Sequence, residues 1–319
     1  MSGAARTYAR VFAPGSIGNL GPGFDTLGLA VAGAGDTVTA RRIESKPGAD
    51  SVIILSAGHP DLPLDPDLNS AGIAARDALR RAGSKISMAL EIEKGLPLSA
   101  GLGGSAASAV AAAVAVHLLL GAPLNEGALL AASLAGEAAV AGCHLDNVAP
   151  SLLGGAVLVR SIDPIDAIRL PVPAELLVVL ATPDAAMRTA EARRVLPRDV
   201  PRAIAVHQLA HTGALIAGLC LGDLALIGRA IDDRIAEPVR APLLAGFVEA
   251  KAAALGAGAL GASISGSGPT AFALAGDRAT AERIAEAMRE AYAGRGIGCT
   301  VRIAEVDRQG AREIPGDDG

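Results

Sequence analysis

One stretch of the chain, PLSAGLGGSAAS from Pro97 to Ser108, restricts the possible folds more than any other. Glycine has no Cβ, so a glycine-rich turn lets backbone N–H groups approach an anion closely, and the N–H groups at the start of a helix attract negative charge. The alanine-rich run that follows is typical of a buried helix. The stretch therefore predicts a phosphate-binding loop at a helix start, although a plain turn with Ser105 as N-cap remains an alternative.

Two other phosphate-binding motifs compete with this interpretation. The Walker pattern GxxxxGK[ST] does not occur in the sequence. Gly101, Gly103 and Ala106 match the dinucleotide pattern GxGxxG/A, but Glu126, the acid that would bind the ribose, opens a predicted helix instead of ending a strand. The sequence therefore favours ATP over a dinucleotide.

The remaining sequence mixes alternating segments with Ala/Leu-rich helical segments, which predicts an α+β fold. Strands are predicted at 8–13, 36–43, 52–56, 85–93, 152–160, 176–181, 259–263, 270–274 and 300–306. Helices are predicted at 69–82, 105–120, 125–140, 185–196, 279–293 and, with interruptions, across 203–255. The proline-rich segment 161–173 predicts a boundary between an N-terminal domain, 1–165, and a C-terminal domain, 166–319. The tail from Gln309 predicts disorder.

Charge and cysteine usage exclude several classes of protein. The formal net charge of -5 repels a polyanion, so nucleic acid is not an expected partner. Cys143, Cys220 and Cys299 are odd in number and far apart, which argues against a disulfide framework or structural zinc and favours the reducing cytoplasm. The apolar stretch from Ala106 to Leu120 is too short to cross a bilayer, so no membrane segment is expected.

Two further glycine-rich motifs stand beside predicted strands, APGSIGNLGPGFD from Ala13 to Asp25 and GASISGSGPTAFA from Gly261 to Ala273. In order and spacing, the three motifs resemble those of the GHMP kinases over nearly the whole chain. The resemblance implies a two-domain GHMP kinase fold, with an N-terminal ribosomal-S5-like domain that binds ATP and a C-terminal ferredoxin-like α/β sandwich domain. It implies ATP contacts at Asn69, Pro97, Leu98, Ser99, Ala100, Gly101, Leu102, Gly103, Gly104, Ser105, Ala106, Ala107, Gly266, Ser267 and Gly268.

Other segments resemble the homoserine kinases within that family, namely GFDTLG, HLDNVAPSLLGG, TAEARRVLP and IAEPVR. This resemblance implies ATP-dependent phosphorylation of L-homoserine to O-phospho-L-homoserine, a step of threonine biosynthesis. It implies that Asp25 binds the substrate ammonium, that Arg193 and Arg240 bind its carboxylate, and that Asn19 and Asn147 orient its hydroxyl. Each residue also has an ordinary alternative, since Asx side chains stabilise loops and arginines form surface ion pairs.

Glu137 can be argued further from the pattern, because it shares one helical stripe with Leu130 and Leu134. A carboxylate buried on that stripe requires a cation. The family resemblance implies Mg²⁺ held by Glu137 and Ser105, and a buried arginine remains the alternative. His144, Cys143 and Asp146 also lie together, for which structural hydrogen bonding is favoured over a metal site.

The resemblance implies no dedicated general base, because Asn147 stands where mevalonate kinase carries an aspartate. The implied catalytic set is Asn19, Ser105, Glu137 and Asn147, and Thr189 is expected to donate a further hydrogen bond. Two alternatives stay open: a GHMP kinase acting on another small hydroxylated metabolite, and a non-catalytic nucleotide-binding sensor. The Ala/Leu helices around Cys220 suit either a core or a homodimer interface.

Overall fold

The computed structural model of the chain describes residues 6–44, 51–185, 187 and 189–315. The described residues form two β-sheets with helices packed on both. The strands are β1 (Tyr8–Gly18), β2 (Leu27–Ile43), β3 (Val52–Ser56), β4 (Ser87–Glu93), β5 (Ala156–Ile162), β6 (Ile165–Leu170), β7 (Leu177–Pro183), β8 (Gly261–Ile264), β9 (Ala271–Ala275), β10 (Cys299–Glu305) and β11 (Arg312–Glu313). The helices are α1 (Ser70–Arg81), α2 (Gly104–Leu119), α3 (Glu126–Val140), α4 (Val148–Leu153), α5 (Thr189–Arg194), α6 (Arg202–Leu221), α7 (Leu224–Ala230), α8 (Glu237–Arg240), α9 (Phe247–Gly256) and α10 (Arg278–Ala293).

The first sheet has the strand order β11-β1-β2-β4-β3, with β5 paired to β2 and β6 paired to β5. Its strands pair antiparallel except β3, which runs parallel to β4. Helix α2 packs on β1 and β2 and also contacts α1, α3 and α4. Every residue from Ala106 to Ala113 on α2 is buried, because small side chains let neighbouring elements approach the helix from all sides. The predicted α2 and α3 are confirmed within one residue at each end.

The second sheet has the antiparallel order β10-β7-β9-β8. Helices α9 and α10 pack against it, and the core between them includes the fully buried side chains of Phe247, Met288 and Tyr292. A β-bridge between Val31 and Val306 connects this half of the molecule to the first sheet. Two sheets with grouped helices confirm the α+β prediction.

Several parts of the chain differ from the sequence-based expectation. Strand β2 begins at Leu27 instead of residue 36, and residues 152–153, predicted to open a strand, end helix α4. The predicted boundary segment contains β6. This strand was missed because it is short and prolines flank it on both sides in the sequence. Strand β1 extends to Gly18, beyond its predicted end at residue 13. The tail was wrongly expected to be disordered from Gln309, since β11 pairs with β1 through Glu313 and Val11; residues 316–319 lie outside the described part. The proposed division at residue 165 stays a prediction.

Helix α6, with 20 residues, is a longer apolar helix than α2, which contains most of the stretch from Ala106 to Leu120. Among the described residues, it alone has the length and hydropathy that a membrane-crossing helix needs, and 22% of its apolar window is buried. In the fold, α6 packs against α7, and its side chains Gln208 and Thr212 donate hydrogen bonds of 2.8 and 3.0 Å to the carbonyl of Pro22. These contacts anchor α6 to the first glycine-rich motif.

Candidate active site

The three glycine-rich motifs meet at one place in the fold. The backbone N–H of Gly266 in the third motif donates to the carbonyl of Gly18 in the first motif, at 3.1 Å. The hydroxyl of Ser265 donates to the carbonyl of Gly101 in the second motif, at 2.7 Å. Direct hydrogen bonds therefore hold together loops that are far apart in sequence, and they form one wall of a shared cleft.

This cleft has a volume of about 730 Å³ and takes residues from both halves of the chain. Most residues predicted to bind ATP, metal or substrate line it: Asn19, Asp25, Asn69, Pro97, Leu98, Ser99, Ala100, Gly101, Gly103, Gly104, Ser105, Glu137, Asn147, Arg193, Arg240, Gly266 and Ser267. Four predicted ATP contacts are not part of this lining: Leu102, Ala106, Ala107 and Gly268. All four are buried, and contacts between them and ATP stay predictions.

The phosphate loop owes its shape to left-handed backbone positions. Gly101 and Gly103 have φ values of 76° and 67°, a region that side chains make costly. Gly103 occupies the N-cap of α2 and provides no side-chain cap, so the alternative that made Ser105 the N-cap is wrong. No capping side chain therefore accepts hydrogen bonds from the first N–H groups of α2. These N–H groups can instead bind an anion in the cleft.

Asn69 also has a structural task, as the N-cap of α1. Its Oδ1 accepts from the N–H of Ala71 at 3.0 Å, and its Nδ2 donates to the carbonyl of Pro63 at 3.0 Å. The helix predicted from residue 69 therefore begins with a side-chain cap. Asn69 also lines the cleft, and its contact with ATP stays a prediction.

A buried ionic cluster that the sequence analysis missed supports the start of α2. Lys94, 7% exposed, forms an ion pair with Asp36, which is fully buried. The Nζ of Lys94 donates to the carbonyl of Gly104 at 2.9 Å and to the hydroxyl of Ser108 at 3.0 Å, while Ser108 donates to Asp36 at 2.6 Å. No local sequence pattern distinguishes Asp36 or Lys94 from ordinary charged residues. This cluster fixes the loop between β4 and α2.

Glu137 is buried as predicted, with 2% of its surface exposed. Its Oε2 has no hydrogen-bond partner among the described residues. Burial raises the pKa of this carboxyl to about 7, and the hydrogen bond from Ser105 opposes part of that rise. The expected alternative, a buried arginine partner, is not found in the described part of the chain. An unpartnered carboxylate oxygen beside the phosphate loop fits the donor set of a hard divalent cation.

His144 and Asp146 form a buried pair next to Glu137. His144 Nδ1 lies 2.8 Å from Asp146 Oδ1, and His144 Nε2 lies 3.2 Å from the carbonyl of Ala141. Burial lowers the pKa of His144, but the hydrogen bond and the charge of Asp146 outweigh it, so the pKa lies above its ordinary value. The structure thus confirms structural hydrogen bonding for His144.

Asn19 and Asp25 lie together in the loop between β1 and β2. Both have positive φ, 68° and 56°, and the Oδ1 of Asn19 accepts from the N–H of Asp25 at 3.0 Å. Asn19 Nδ2 donates to the carbonyl of Gly266 at 2.9 Å, and its own N–H donates to Asp146 Oδ2 at 3.1 Å. Asn19 therefore has the loop-stabilising task that was its alternative, and it also lines the cleft.

Two guanidinium groups face this loop. Arg193 pairs with Asp25 through two hydrogen bonds of 2.8 and 3.2 Å. Arg240 is 3% exposed and donates to the carbonyls of Ala192 and Gly266, at 3.2 and 2.9 Å. Arg240 is therefore not the surface residue of the alternative interpretation, whereas Arg193 is partly exposed and ion-paired, as that alternative expects, with Asp25 as its partner. Two cations and one acid therefore stand in one corner of the cleft.

The ring of Phe24, which the sequence analysis did not single out, lies between the two arginines. Its centroid is 5.9 Å from the guanidinium carbon of Arg193 and 5.5 Å from that of Arg240. Both distances are within the range of a cation–π attraction. Burial and the nearby charge of Arg193 lower the pKa of Arg240.

Asn147 stands where the first glycine-rich motif meets the phosphate loop. Its Oδ1 accepts a hydrogen bond of 3.0 Å from the hydroxyl of Ser16, another residue that the sequence analysis missed. The N–H of Ser16 donates to the carbonyl of Leu102 at 3.0 Å. This network fixes the Asn147 amide beside the loop. Thr189 begins α5, but its side chain lies outside the described residues, so its predicted hydrogen bond stays a prediction.

Comparison with known proteins identifies the family of the chain. The family model "GHMP kinases N terminal domain" matches residues 69–155, and "GHMP kinases C terminal" matches residues 215–294. A homoserine kinase of Chlorobium phaeobacteroides is 44% identical over 292 residues, covering 89% of this chain and 91% of the relative. A homoserine kinase of Arabidopsis thaliana is 41% identical over 311 residues, covering 96% of this chain and 84% of the relative.

Among solved structures, the homoserine kinase of Cytophaga hutchinsonii superposes with a TM-score of 0.92 at 41% identity. The match covers 98% of this chain and 99% of that one. Two family models and full-length relatives agree on the same assignment. The chain therefore belongs to the GHMP kinase family, in the group formed by the homoserine kinases.

Proposed function

We propose that this chain transfers the γ-phosphoryl group of ATP to the hydroxyl of L-homoserine, giving O-phospho-L-homoserine, as in threonine biosynthesis. The observation that carries the proposal is one cleft that holds both a phosphate loop and a corner with Asp25, Arg193 and Arg240. An acid and two guanidinium groups complement the ammonium and the carboxylate of an amino acid. Membership of a kinase family implies ATP as the phosphoryl donor.

Glu137 and Ser105 would hold Mg²⁺ in this proposal. The orphaned Oε2 of Glu137 supports it, because a buried carboxylate without a cation is unfavourable. When bound, the metal ion would neutralise charge on the ATP phosphates. The amides at the start of α2 and the Ser105 hydroxyl would bind the same phosphate oxygens.

Asn19 and Asn147 would orient the substrate hydroxyl without taking its proton, and Thr189 would donate a further hydrogen bond. Phosphoryl transfer passes through a loose transition state, so positioning and charge neutralisation contribute more than full deprotonation of the nucleophile. His144 is held by Asp146 and the carbonyl of Ala141, which leaves neither ring nitrogen free to act as a base.

The proposal also includes the cellular location, the oligomeric state and the division into domains. The cysteines of the described residues are free, and Cys143 and Cys220 are exposed, which suits a reducing cytoplasm. Val206 and Leu209 on α6 are 59% and 74% exposed, which supports a homodimer that covers them. We also retain the division into an ATP-binding domain, 1–165, and a C-terminal domain, 166–319.

A panel of alcohols tests the assignment. The chain is incubated with Mg²⁺ and ATP together with L-homoserine, L-threonine, mevalonate or shikimate, and ADP release is followed. The proposal expects rapid release with L-homoserine alone. Faster release with another alcohol would favour a different GHMP kinase activity, and tight ATP binding without turnover on any alcohol would favour a nucleotide sensor.

A further inference from the structure

A cluster of metal-ligating side chains lies outside the active-site cleft. His207 and His211 are one helical turn apart on α6, and Asp232 follows α7. One potential ligand atom from each residue lies within 4.8 Å of the other two. We propose that these three side chains form a binding site for Zn²⁺.

The spacing on the helix is the first support. Residues i and i+4 share one helical face, so both imidazoles of the pair can turn toward one ion. The two rings are stacked, with centroids 3.9 Å apart and an interplanar angle of 25°. His211 Nδ1 lies 3.3 Å from the carbonyl of Ala230, a contact that leaves its Nε2 for a metal. Metal-binding histidines commonly use the second ring nitrogen in this way.

The distance between His207 and Asp232 is the second support. His207 Nε2 lies 3.1 Å from Asp232 Oδ2, yet this nitrogen is buried and makes no hydrogen bond to any described residue. Two ligands at about 2.1 Å from a tetrahedral zinc ion are about 3.4 Å apart. The nitrogen and oxygen therefore already have nearly the separation that a shared zinc ion requires.

The ligand types select the ion. Two imidazoles and one carboxylate suit Zn²⁺ and chemically similar late first-row ions, whereas Mg²⁺ prefers an all-oxygen set. Asp232 is 41% exposed, so a water molecule can occupy the fourth position. Arg234 Nη2 lies 3.4 Å from the same carboxylate oxygen and competes with the metal for it.

The site would join α6 to the segment that leads into α8. Asp233, next to Asp232, accepts hydrogen bonds from Gln208 of α6 and from the N–H groups of Ile235, Ala236 and Glu237. A zinc ion at this place would add a link between α6 and the start of α8. We therefore expect a structural metal ion that raises the thermal stability of the chain.

Calorimetric titration of the full, tag-free chain with Zn²⁺, after removal of metal with a chelator, tests the proposal. The wild type should bind one ion at this site, and His207→Ala or His211→Ala should weaken that binding at least tenfold. Arg234→Gln should tighten it, because the competing cation is removed. His59→Ala, which changes an exposed histidine outside the cluster, is the matched control.

A second cluster of similar composition, Asp25, His144 and Asp146, lies in the active-site cleft. The histidine variants change only the first cluster, so they show which of the two clusters binds zinc. Zinc binding that survives unchanged in the double variant His207→Ala/His211→Ala would overturn the proposal. The visible absorption of bound Co²⁺ gives an independent reading, since loss of an imidazole ligand should change its d–d bands. ADP release shows that each variant is folded, because the cluster lies outside the cleft.

Discussion

The guanidinium of Arg193 donates two hydrogen bonds to the carboxylate of Asp25, although the two residues are 168 positions apart in sequence. In the proposed function these groups bind opposite ends of the same amino acid. Their mutual pairing keeps both charges compensated in a cleft without substrate, and it places them at one corner before substrate arrives. Both side chains remain about one third exposed, so a zwitterion can reach them.

Replacement of Arg193 tests this corner. A hydrogen bond to a charged group contributes about 1.5 to 3 kcal/mol, so Arg193→Ala should raise the KM for L-homoserine about 10- to 100-fold. Arg194→Ala is the matched control, because Arg194 is the exposed neighbour on the same helix. Steady-state kinetics at saturating ATP measure both. Equal KM values for the two variants would remove Arg193 from the substrate site.

Glu137 predicts a pH dependence of stability in the protein without metal. The pKa of this carboxyl rises from 4.5 to about 7 on folding, so the folded state binds the proton more tightly and loses stability as pH rises through this window. The loss is fully developed above pH 7 and is on the order of 3 kcal/mol. Glu137→Gln removes it, so the variant should be the more stable protein at pH 8 and should lack the decline.

Urea unfolding of wild type and Glu137→Gln between pH 5 and pH 8, in the presence of a chelator, measures this difference. Other titrating groups are common to both proteins, so the difference isolates Glu137. Parallel stability profiles would show that the carboxylate already has a cation or partner. Addition of Mg²⁺ with ATP at pH 8 should stabilise the wild type more than the variant.

The phosphate loop can be tested with a pair of glycines that have the same backbone strain. Gly101 and Gly121 have φ values of 76° and 77°, but a Cβ at Gly101 would lie 2.5 Å from the carbonyl oxygen of Ser265, whereas a Cβ at Gly121 would meet nothing within 4 Å. Gly121→Ala should cost about 1 kcal/mol, the strain alone. Gly101→Ala should cost more and weaken ATP binding, as measured by calorimetry. Equal effects would mean that contact with the third motif is unimportant.

Asn147 is expected to orient the substrate hydroxyl. Asn147→Ala should lower kcat about 10- to 100-fold at saturating substrates, because a misoriented nucleophile reduces the fraction of reactive complexes. Ser16→Ala is the comparison variant, since it removes the hydroxyl that donates to Asn147 but keeps the amide itself, so it should lower kcat less. An unchanged kcat in Asn147→Ala would end this assignment.

The glycine-rich loops and long helices were predictable because their causes are local. Glycine spacing at Gly101 and Gly103, the Asn69 cap and the alanine content of α2 are all properties of short segments. The burial of Glu137 followed from helical periodicity in the same way. Such features need no knowledge of which distant segments meet.

The remaining parts depend on contacts between distant segments. The cluster of Lys94 and Asp36 joins β4 to β2, and the β11 pairing joins the two ends of the chain. The local sequence does not indicate these partners, because a single lysine or a short polar strand is compatible with many different contacts. The pairing of Asp25 with Arg193 is also a contact between distant segments. Nothing in the sequence indicated it, and each residue was assigned to the substrate alone.

Discrimination between L-homoserine and 4-hydroxybutyrate, the same alcohol without its ammonium, tests the central claim most directly. The measurement is the ratio of kcat/KM values for the two alcohols with ATP and Mg²⁺. A site that binds the ammonium through Asp25 should favour L-homoserine about 10- to 100-fold, because the analogue lacks the charge-assisted hydrogen bond to Asp25, worth about 1.5 to 3 kcal/mol. A ratio near one would contradict the account.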